Sequence, residues 1–118
     1  MGNSIIEAKS FDFAIRIVKL YQYLCEEKKE FVLSKQLLRS GTSIGANVSE
    51  AQRGQSKPDF YAKLAISLKE ANETEYWLRL LHATDYITDA EFDSLCSDCR
   101  ELQKMLIAIV KTSKTQKK

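Results

Sequence analysis

Proline, glycine, histidine and cysteine are scarce in this 118-residue sequence, which has one Pro, four Gly, one His and three Cys. So few turn-forming residues count against β-sandwiches and barrels, and against Pro-rich or collagen-like chains. No apolar run approaches the roughly 20 residues that a membrane-spanning helix needs. These absences predict a soluble helical protein with no membrane-spanning segment.

The sulfur and imidazole side chains do not form a recognisable metal site. Cys96 and Cys99 match a C-x-x-C spacing, but a zinc site needs two further ligands and His82 is the only histidine. We therefore interpret the cysteines, including Cys25, as small core residues, and we expect no metal and no cofactor. Residues 1–7 lack the basic start and apolar core of a secretion signal, so we expect a cytoplasmic protein with reduced thiols.

Basic charge is concentrated at the C-terminus. The last eight residues contain Lys111, Lys114, Lys117 and Lys118 and no acid, so the preceding residues have 14 basic against 16 acidic side chains. The whole chain carries +2, whereas the part before this tail carries −2. Two interpretations stay open: a solvated, frayed end, which we favour, or an electrostatic anchor for phosphates.

Apolar residues recur at helical spacing in four segments, about 9–28, 31–54, 57–84 and 89–111. The corners between them are short, so neighbouring helices should be antiparallel. The sequence therefore predicts an all-α fold, an antiparallel up-down-up-down four-helix bundle in a single domain over 1–118, with a basic tail over 111–118.

Each segment has an expected core face or a recognisable start. The core face predicted for the first helix comprises Phe11, Ala14, Ile15, Val18, Tyr21 and Cys25, widened by Ile17 and Leu24. The fourth helix has a heptad-like row of Phe92, Leu95, Cys99, Leu102, Leu106 and Ile109. Ser56 should cap the third helix, and Thr88 with Glu91 should form a capping box for the fourth. The third helix is apolar on two faces, with Trp77, Leu81 and Ile66 opposite Leu64 and Leu68, which predicts contacts beyond one bundle.

The second segment is unusual because residues 40–45, SGTSIG, are poor helix formers. We favour a helix, since the apolar spacing continues on both sides and small residues allow another backbone to approach closely. The row Arg39, Ser43, Asn47 and Glu50 fits either a hydrogen-bond ladder between helices or subunits, or a solvated polar face. Asn72 and Glu75 fall on the core side of the third helix, where a carboxylate needs a partner such as Arg39 or a tyrosine of another helix. The candidate assembly and polar-network residues are Arg39, Gly41, Ser43, Gly45, Asn47, Glu50, Asn72 and Glu75.

No catalytic motif is present in the sequence. His82 has no paired nucleophile, and Gly41 and Gly45 lack the context of a phosphate-binding loop. Glu70, Glu73 and Glu75 could bind magnesium weakly, although an ion-paired helix face is the favoured interpretation. We therefore do not expect an enzyme, and we keep a metal-dependent enzyme using these three carboxylates as the last alternative.

Two stretches are more specific than a generic bundle. Residues 36–51 read QLLRSGTSIGANVSEA and residues 67–78 read SLKEANETEYWL. The first resembles the hallmark of the bacterial four helix bundle protein family, which includes proteins encoded within intervening sequences of large-subunit ribosomal RNA genes. The second is similar to that family's other signature, and the likeness extends from Phe11 to about Val110. It implies an antiparallel four-helix bundle assembled into a ring-like homopentamer.

The resemblance supplies no catalytic residues. A related protein, the accessory variability determinant of diversity-generating retroelements, is similar in fold and pentameric form, is basic, and binds nucleic acid and a reverse transcriptase. We therefore expect a non-enzymatic oligomeric scaffold or adaptor that binds RNA, DNA or a nucleic-acid-processing protein, the alternative being a protein-only interaction scaffold. The candidate nucleic-acid contacts are Arg16, Arg39, Arg53, Arg79, Lys111, Lys114, Lys117 and Lys118.

Overall fold

The computed structural model describes residues 4–116, with side chains from 5 to 113. This range forms α1 (Ser4–Glu26), α2 (Leu33–Gln52), α3 (Lys57–Ala83) and α4 (Asp89–Gln116). Side chains from all four helices meet in one hydrophobic core, and no strand occurs in the described range. The predicted all-α four-helix bundle is therefore confirmed. Across the described residues, no helix has both the length and the apolarity needed to cross a membrane.

Neighbouring helices run in opposite directions. Arg39 of α2 pairs with Glu73 of α3, whereas Glu50, later in α2, pairs with Lys63, earlier in α3. The same antiparallel order holds for α1 with α2, for α3 with α4 and for α1 with α4. In each pair, residues later in one helix contact residues earlier in the other. In the described part of the chain, no Cα atom of α1 lies within 8 Å of one in α3, and none of α2 within 8 Å of one in α4, so each pair lies on a diagonal of the bundle.

The N-termini of α3 and α4 are capped as predicted, by Ser56 and Thr88. The Asp59 N–H donates to Ser56 Oγ at 3.3 Å. The Glu91 N–H donates to Thr88 Oγ1 at 3.1 Å, and the Thr88 N–H donates to the Glu91 carboxylate at 2.8 Å. Both caps are confirmed, because each side chain satisfies an N–H that has no partner within its helix.

Five helix ends differ from the predicted ones by more than one residue, and two of them are the ends of α1 and α2, at Glu26 rather than 28 and Gln52 rather than 54. α1 begins at Ser4, about five residues early, because Ile6 already lies in the core. α2 begins at Leu33 rather than 31, because the corner is occupied by a carboxylate cap described below. α4 continues to Gln116 rather than ending near 111, since Ile109 and Val110 still pack against the core. The first part of the predicted tail is therefore helical.

The core face of α1 is not the predicted one. Its buried apolar residues are Ile6, Phe13, Ile17, Leu20 and Leu24, so the two residues expected only to widen the face lie at its centre. Phe11, Ile15 and Val18, which were predicted to be in the core, are exposed. α1 has two apolar stripes, and the α2 surface packs against the one that includes Ile17.

Small residues bring α2 close to both of its neighbours. A Cβ atom at Gly41 would lie 2.8 Å from two carbons of Ile17, so α1 and α2 are in contact at this point. On the other side, Ser67 of α3 donates to the Ile44 carbonyl at 2.8 Å. The predicted helix through residues 40–45 is confirmed, and its small residues permit close packing within one bundle.

Candidate interaction surfaces

An apolar stripe runs along the outer surface of α1. It consists of Ala8, Phe11, Ile15 and Val18, which are spaced by three and four residues and therefore share one helix face. Phe11 is 66% exposed and Ile15 is 42% exposed. We call these four residues the α1 stripe, and it is the largest set of exposed apolar side chains on one face of a described helix.

The α1 stripe borders a shallow groove between α1 and α2. Glu7, Ala8 and Phe11 form one wall, and Gly45 and Ser49 form the other, around a volume of about 390 Å³. A Cβ at Gly45 would lie 3.2 Å from the Ser10 carbonyl oxygen, so this glycine also keeps α1 and α2 close. The groove combines an exposed aromatic ring with a surface of small side chains.

A second, smaller set of apolar side chains is exposed on α3, diagonally across the bundle from α1. Ile66 and Tyr76 are its large exposed members. Of the residues predicted to lie with Ile66, Leu81 is fully buried and Trp77 packs partly against the core. The expectation of two apolar faces on α3 therefore holds only for a narrow outer strip, because α2 and α4 cover the rest of the helix.

The outer face between α2 and α3 is ion-paired. Arg39 lies 2.8 Å from the Glu73 carboxylate and 3.6 Å from that of Glu70. The hydrogen bond from Arg39 lowers the pKa of Glu73, whereas burial raises the pKa of Glu70. Arg39 is thereby neutralised by two carboxylates of α3.

In the row of polar residues on α2, the two middle residues bond within α2 and the two end residues reach α3. Ser43 donates to the Arg39 carbonyl at 2.6 Å, and Asn47 donates to the Ser43 carbonyl at 2.8 Å, so both bond within their own helix. Glu50 instead reaches Lys63 of α3 at 2.7 Å, and that hydrogen bond lowers the pKa of Glu50. Only the two ends of the row, Arg39 and Glu50, therefore connect α2 to α3.

Asn72 and Glu75 contact α4 rather than α2. Gln103 donates to Glu75 at 2.9 Å and to Asn72 at 3.2 Å, and Arg100 lies 3.1 Å from Glu75. The hydrogen bond from Gln103, followed by that from Arg100, lowers the pKa of Glu75. The expected pairing with Arg39 is wrong, because α3 turns Glu75 towards the opposite neighbour.

The three carboxylates considered for magnesium do not converge. Glu70 and Glu73 face Arg39 on α2, whereas Glu75 faces Arg100 and Gln103 on α4. Among the described side chains, no group of three Cys, His, Asp or Glu residues is placed to hold a metal ion. The geometry therefore favours structural ion pairs at these positions.

The cysteines of α4 are part of the core. Cys96 and Cys99 are buried and unpaired, and the Cys99 thiol donates to the Ala71 carbonyl at 3.3 Å. Burial raises the pKa of Cys99 to about 12 and also raises that of Cys96. Both residues therefore pack as small apolar groups, as the sequence predicted.

His82 connects the end of α3 to the start of α4. Its Nε2 atom lies 2.6 Å from an Asp89 oxygen, and its ring stacks on Phe92 with centroids 4.3 Å apart. Among described residues it has no cysteine or serine nucleophile as a hydrogen-bond partner. This arrangement is typical of a residue that fixes a helix corner.

The structure separates the basic candidates into paired and unpaired residues. Arg16 bonds to Asp98 at 2.6 Å, and Arg39 is held by α3 as described above. Arg53, Arg79 and Lys111 are exposed and make no ion pair with a described side chain. Of the remaining candidates, the Lys114 side chain and all of Lys117 and Lys118 lie outside the described part. Sequence reasoning missed Lys69, Arg100 and Lys104. Arg100 of α4 and Arg79 of α3 both act on Glu75 because α3 and α4 are adjacent.

Comparison with known proteins identifies close structural and family relatives. The family model described as 23S rRNA-intervening sequence protein matches residues 3–108. A crystal structure of a protein with unknown function from the S23 ribosomal protein family of Bacteroides thetaiotaomicron is 58% identical to this chain. The match covers 90% of this chain and 98% of that one, with a TM-score of 0.89. No curated protein matches. The family match runs from α1 into α4, and the chain belongs to the 23S rRNA-intervening sequence protein family.

Proposed function

We propose that this chain is a non-enzymatic helical-bundle scaffold that assembles with further copies of itself through the α1 stripe. The observation that carries the proposal is the exposure of Phe11, Ile15 and Val18 on one helix face. Contiguous apolar surface of this kind marks interaction sites on soluble proteins. Covering it with another copy removes it from water, which stabilises the contact by about 25 cal/mol per Å² of apolar surface.

The exposed strip on α3 supports a contact between two different surfaces of adjacent copies. Ile66 lies on the helix diagonal to α1 and about 15 Å before Tyr76 along α3, so one copy's α1 stripe can meet another copy's α3 at Ile66 without blocking its own. Such heterologous contacts generate rings when the rotation between copies closes. The form that we propose is the ring-like homopentamer that the family resemblance implies.

Replacing an apolar residue of the α1 stripe by a charged one tests this assembly. Ile15→Glu should shift the protein towards monomers, because the carboxylate would be buried without a partner. The matched control is Val32→Glu, which introduces the same charge at a 71% exposed apolar residue in the α1–α2 corner, outside the stripe. Sedimentation velocity over a range of protein concentrations measures the mass of each variant.

A wild-type protein that stays monomeric at micromolar concentration would overturn the proposed assembly. An oligomer that forms equally well with Ile15→Glu would place the contact on another face. Circular dichroism of both variants shows whether the helices remain intact, since both positions are on the surface.

We propose contact with RNA or DNA as a second candidate function of the same scaffold. The observation in its favour is that Arg53, Arg79 and Lys111 are exposed and make no direct ion pair with a described side chain, whereas Arg16 and Arg39 each pair directly with a carboxylate. Unneutralised cations attract phosphates and release their counterions, so such binding weakens as salt is added.

Fluorescence anisotropy with labelled RNA and DNA at two salt concentrations tests this contact. The wild type is compared with a variant in which the four C-terminal lysines, Lys111, Lys114, Lys117 and Lys118, are replaced by Gln. Salt-sensitive binding that the variant loses would make the tail the anchor, and binding that survives would point to the bundle surface. No binding by either protein would favour the alternative of a protein-only scaffold.

A further inference from the structure

We propose that the outer groove between α3 and α4 is a contact surface for single-stranded nucleic acid. In this groove, Arg79, Arg100 and Lys104 hold phosphates while Tyr76 stacks on an unpaired base. The inference rests on the proposed nucleic-acid contact, and it adds the location of the site and the form of the ligand. We call the surface that Tyr76, Arg79, Arg100 and Lys104 form the α3–α4 groove.

Positive charge exceeds negative charge at the centre of the groove. Arg100 lies 3.1 Å from Glu75, and Arg79 acts electrostatically on the same carboxylate. Glu75 also accepts a hydrogen bond from Gln103 at 2.9 Å. Two guanidinium groups therefore share one carboxylate that is already hydrogen-bonded, which leaves them able to bind an anion.

The α4 side of the groove contributes one more cation, Lys104. Lys104 is exposed one turn after Arg100, and both line a depression of about 520 Å³. The carboxylates that border the depression are Asp93 and Glu101. Glu101 is paired with a lysine of α1 at 3.2 Å, and Asp93 lies near the start of α4, so neither neutralises Lys104 by an ion pair within the described residues.

Tyr76 supplies an aromatic surface beside these cations. Its side chain is 55% exposed, and the edge-to-face contact with Trp77, at 5.1 Å between centroids, limits the directions in which the ring can turn. Tyr76, Arg79 and Phe92 line a second hollow of about 310 Å³ next to the first. Arg79 follows Tyr76 by three residues, so the two side chains are neighbours on the surface of α3.

This combination fits a single strand better than a duplex. A stacked base must be unpaired, and base–aromatic stacking tolerates any sequence because every base has a π-face. The cations of α3 and α4 follow the groove, where a flexible backbone can track them. Lys69 is exposed on α3 ten residues before Arg79, which is about 15 Å along the helix axis. It adds a further cation along α3 for the nucleic-acid backbone.

The test uses the full chain and two fluorescent probes, a single-stranded oligouridine and an RNA duplex of equal length. Tyr76→Leu should weaken single-strand binding by about 5- to 150-fold, the range for loss of one stacked base, and change duplex binding little. Tyr76→Phe keeps the ring and should restore the affinity. Arg79→Gln should weaken binding and lower the slope of log affinity against log salt by about 0.7.

Lys19→Gln is the matched control for charge, because Lys19 is exposed on α1 and its loss changes the net charge by the same amount. It should leave both affinity and salt slope unchanged. Failure of the wild type to bind either probe would overturn the nucleic-acid proposal and this inference together. Binding that persists in Tyr76→Leu and Arg79→Gln, but is lost without the C-terminal lysines, would overturn the groove alone.

Discussion

At the corner between α1 and α2, one carboxylate performs the capping that a serine or threonine usually performs. Val32 occupies the N-cap position and makes no side-chain cap. Glu30 instead accepts hydrogen bonds from the N–H groups of Val32, Leu33 and Ser34, at 3.2, 3.0 and 2.7 Å. Burial opposes the ionisation of Glu30, but these hydrogen bonds outweigh it, so its pKa is lowered.

Glu30→Gln tests this cap through the pH dependence of stability. The lowered pKa means that the Glu30 contribution is complete above the ordinary value of 4.5 and is lost as pH falls through the folded-state pKa. At about pH 7 the variant should lose about 0.5–2 kcal/mol of unfolding free energy, as for other caps. Urea unfolding of both proteins from about pH 7 to about pH 3 should show this difference shrinking in acid. A difference that stays constant would contradict the role of the ionised carboxylate.

Gly41 is the residue at which the α1–α2 contact is closest. A Cβ there would lie 2.8 Å from Cγ1 and Cγ2 of Ile17, both of them core atoms that have little room to move. Gly41→Leu should therefore cost at least the 1–3 kcal/mol that is typical of overpacking. Urea unfolding measures the loss, and Ala46→Leu, on the exposed face of α2, is the control. Equal stability of the two variants would contradict the close contact.

At the scale of helices, α1 shows why a pattern of apolar residues can select the wrong face. One stripe contains Phe11, Ile15 and Val18, and the other contains Phe13 and Ile17. Both have helical spacing and similar side chains, so periodicity does not distinguish the core stripe from the outer one. The choice depends on α2, whose Gly41 leaves space for Ile17.

Two phenylalanines on α1 should respond very differently to truncation. Phe13→Ala should cost about 3–5 kcal/mol at any protein concentration, because Phe13 is almost fully buried in the core. Phe11→Ala should have a small effect on the folding of one chain, and its effect should grow with protein concentration if Phe11 is covered in an assembly. Thermal unfolding at several concentrations separates the two behaviours. A large cost for Phe11→Ala in dilute protein would contradict the assignment of the α1 faces.

At the scale of the whole molecule, one bundle is a rod of 50 × 21 × 21 Å with a radius of gyration of 14.9 Å over its Cα atoms. Of the four contacts between neighbouring helices, the one between α1 and α4 is the least extensive. It includes ion pairs from Lys9 to Glu101 and from Arg16 to Asp98. Exposed ion pairs contribute little stability, so α1 is held to the bundle mainly by α2.

Small-angle X-ray scattering gives a test at this scale. The proposed assembly should have a radius of gyration well above the 14.9 Å of one bundle, and Ile15→Glu should return it towards that value. The physical reason is that the variant removes the apolar contact between copies and leaves each core intact. A wild-type value close to that of one bundle would contradict the assembly.

The sequence by itself determined the fold class, the Ser56 and Thr88 caps, and the core row of α4. These features depend on local hydrogen bonds and on a single apolar stripe, which need no knowledge of the rest of the chain. The tertiary structure alone decided which α1 stripe is buried, because both stripes are apolar. It also directed Glu70 and Glu73 towards α2 and Glu75 towards α4, and it brought Arg79 and Arg100 to the same carboxylate, Glu75. Residues far apart in the chain become neighbours only when two helices pack, and the register of that packing depends on the shape of every side chain between them.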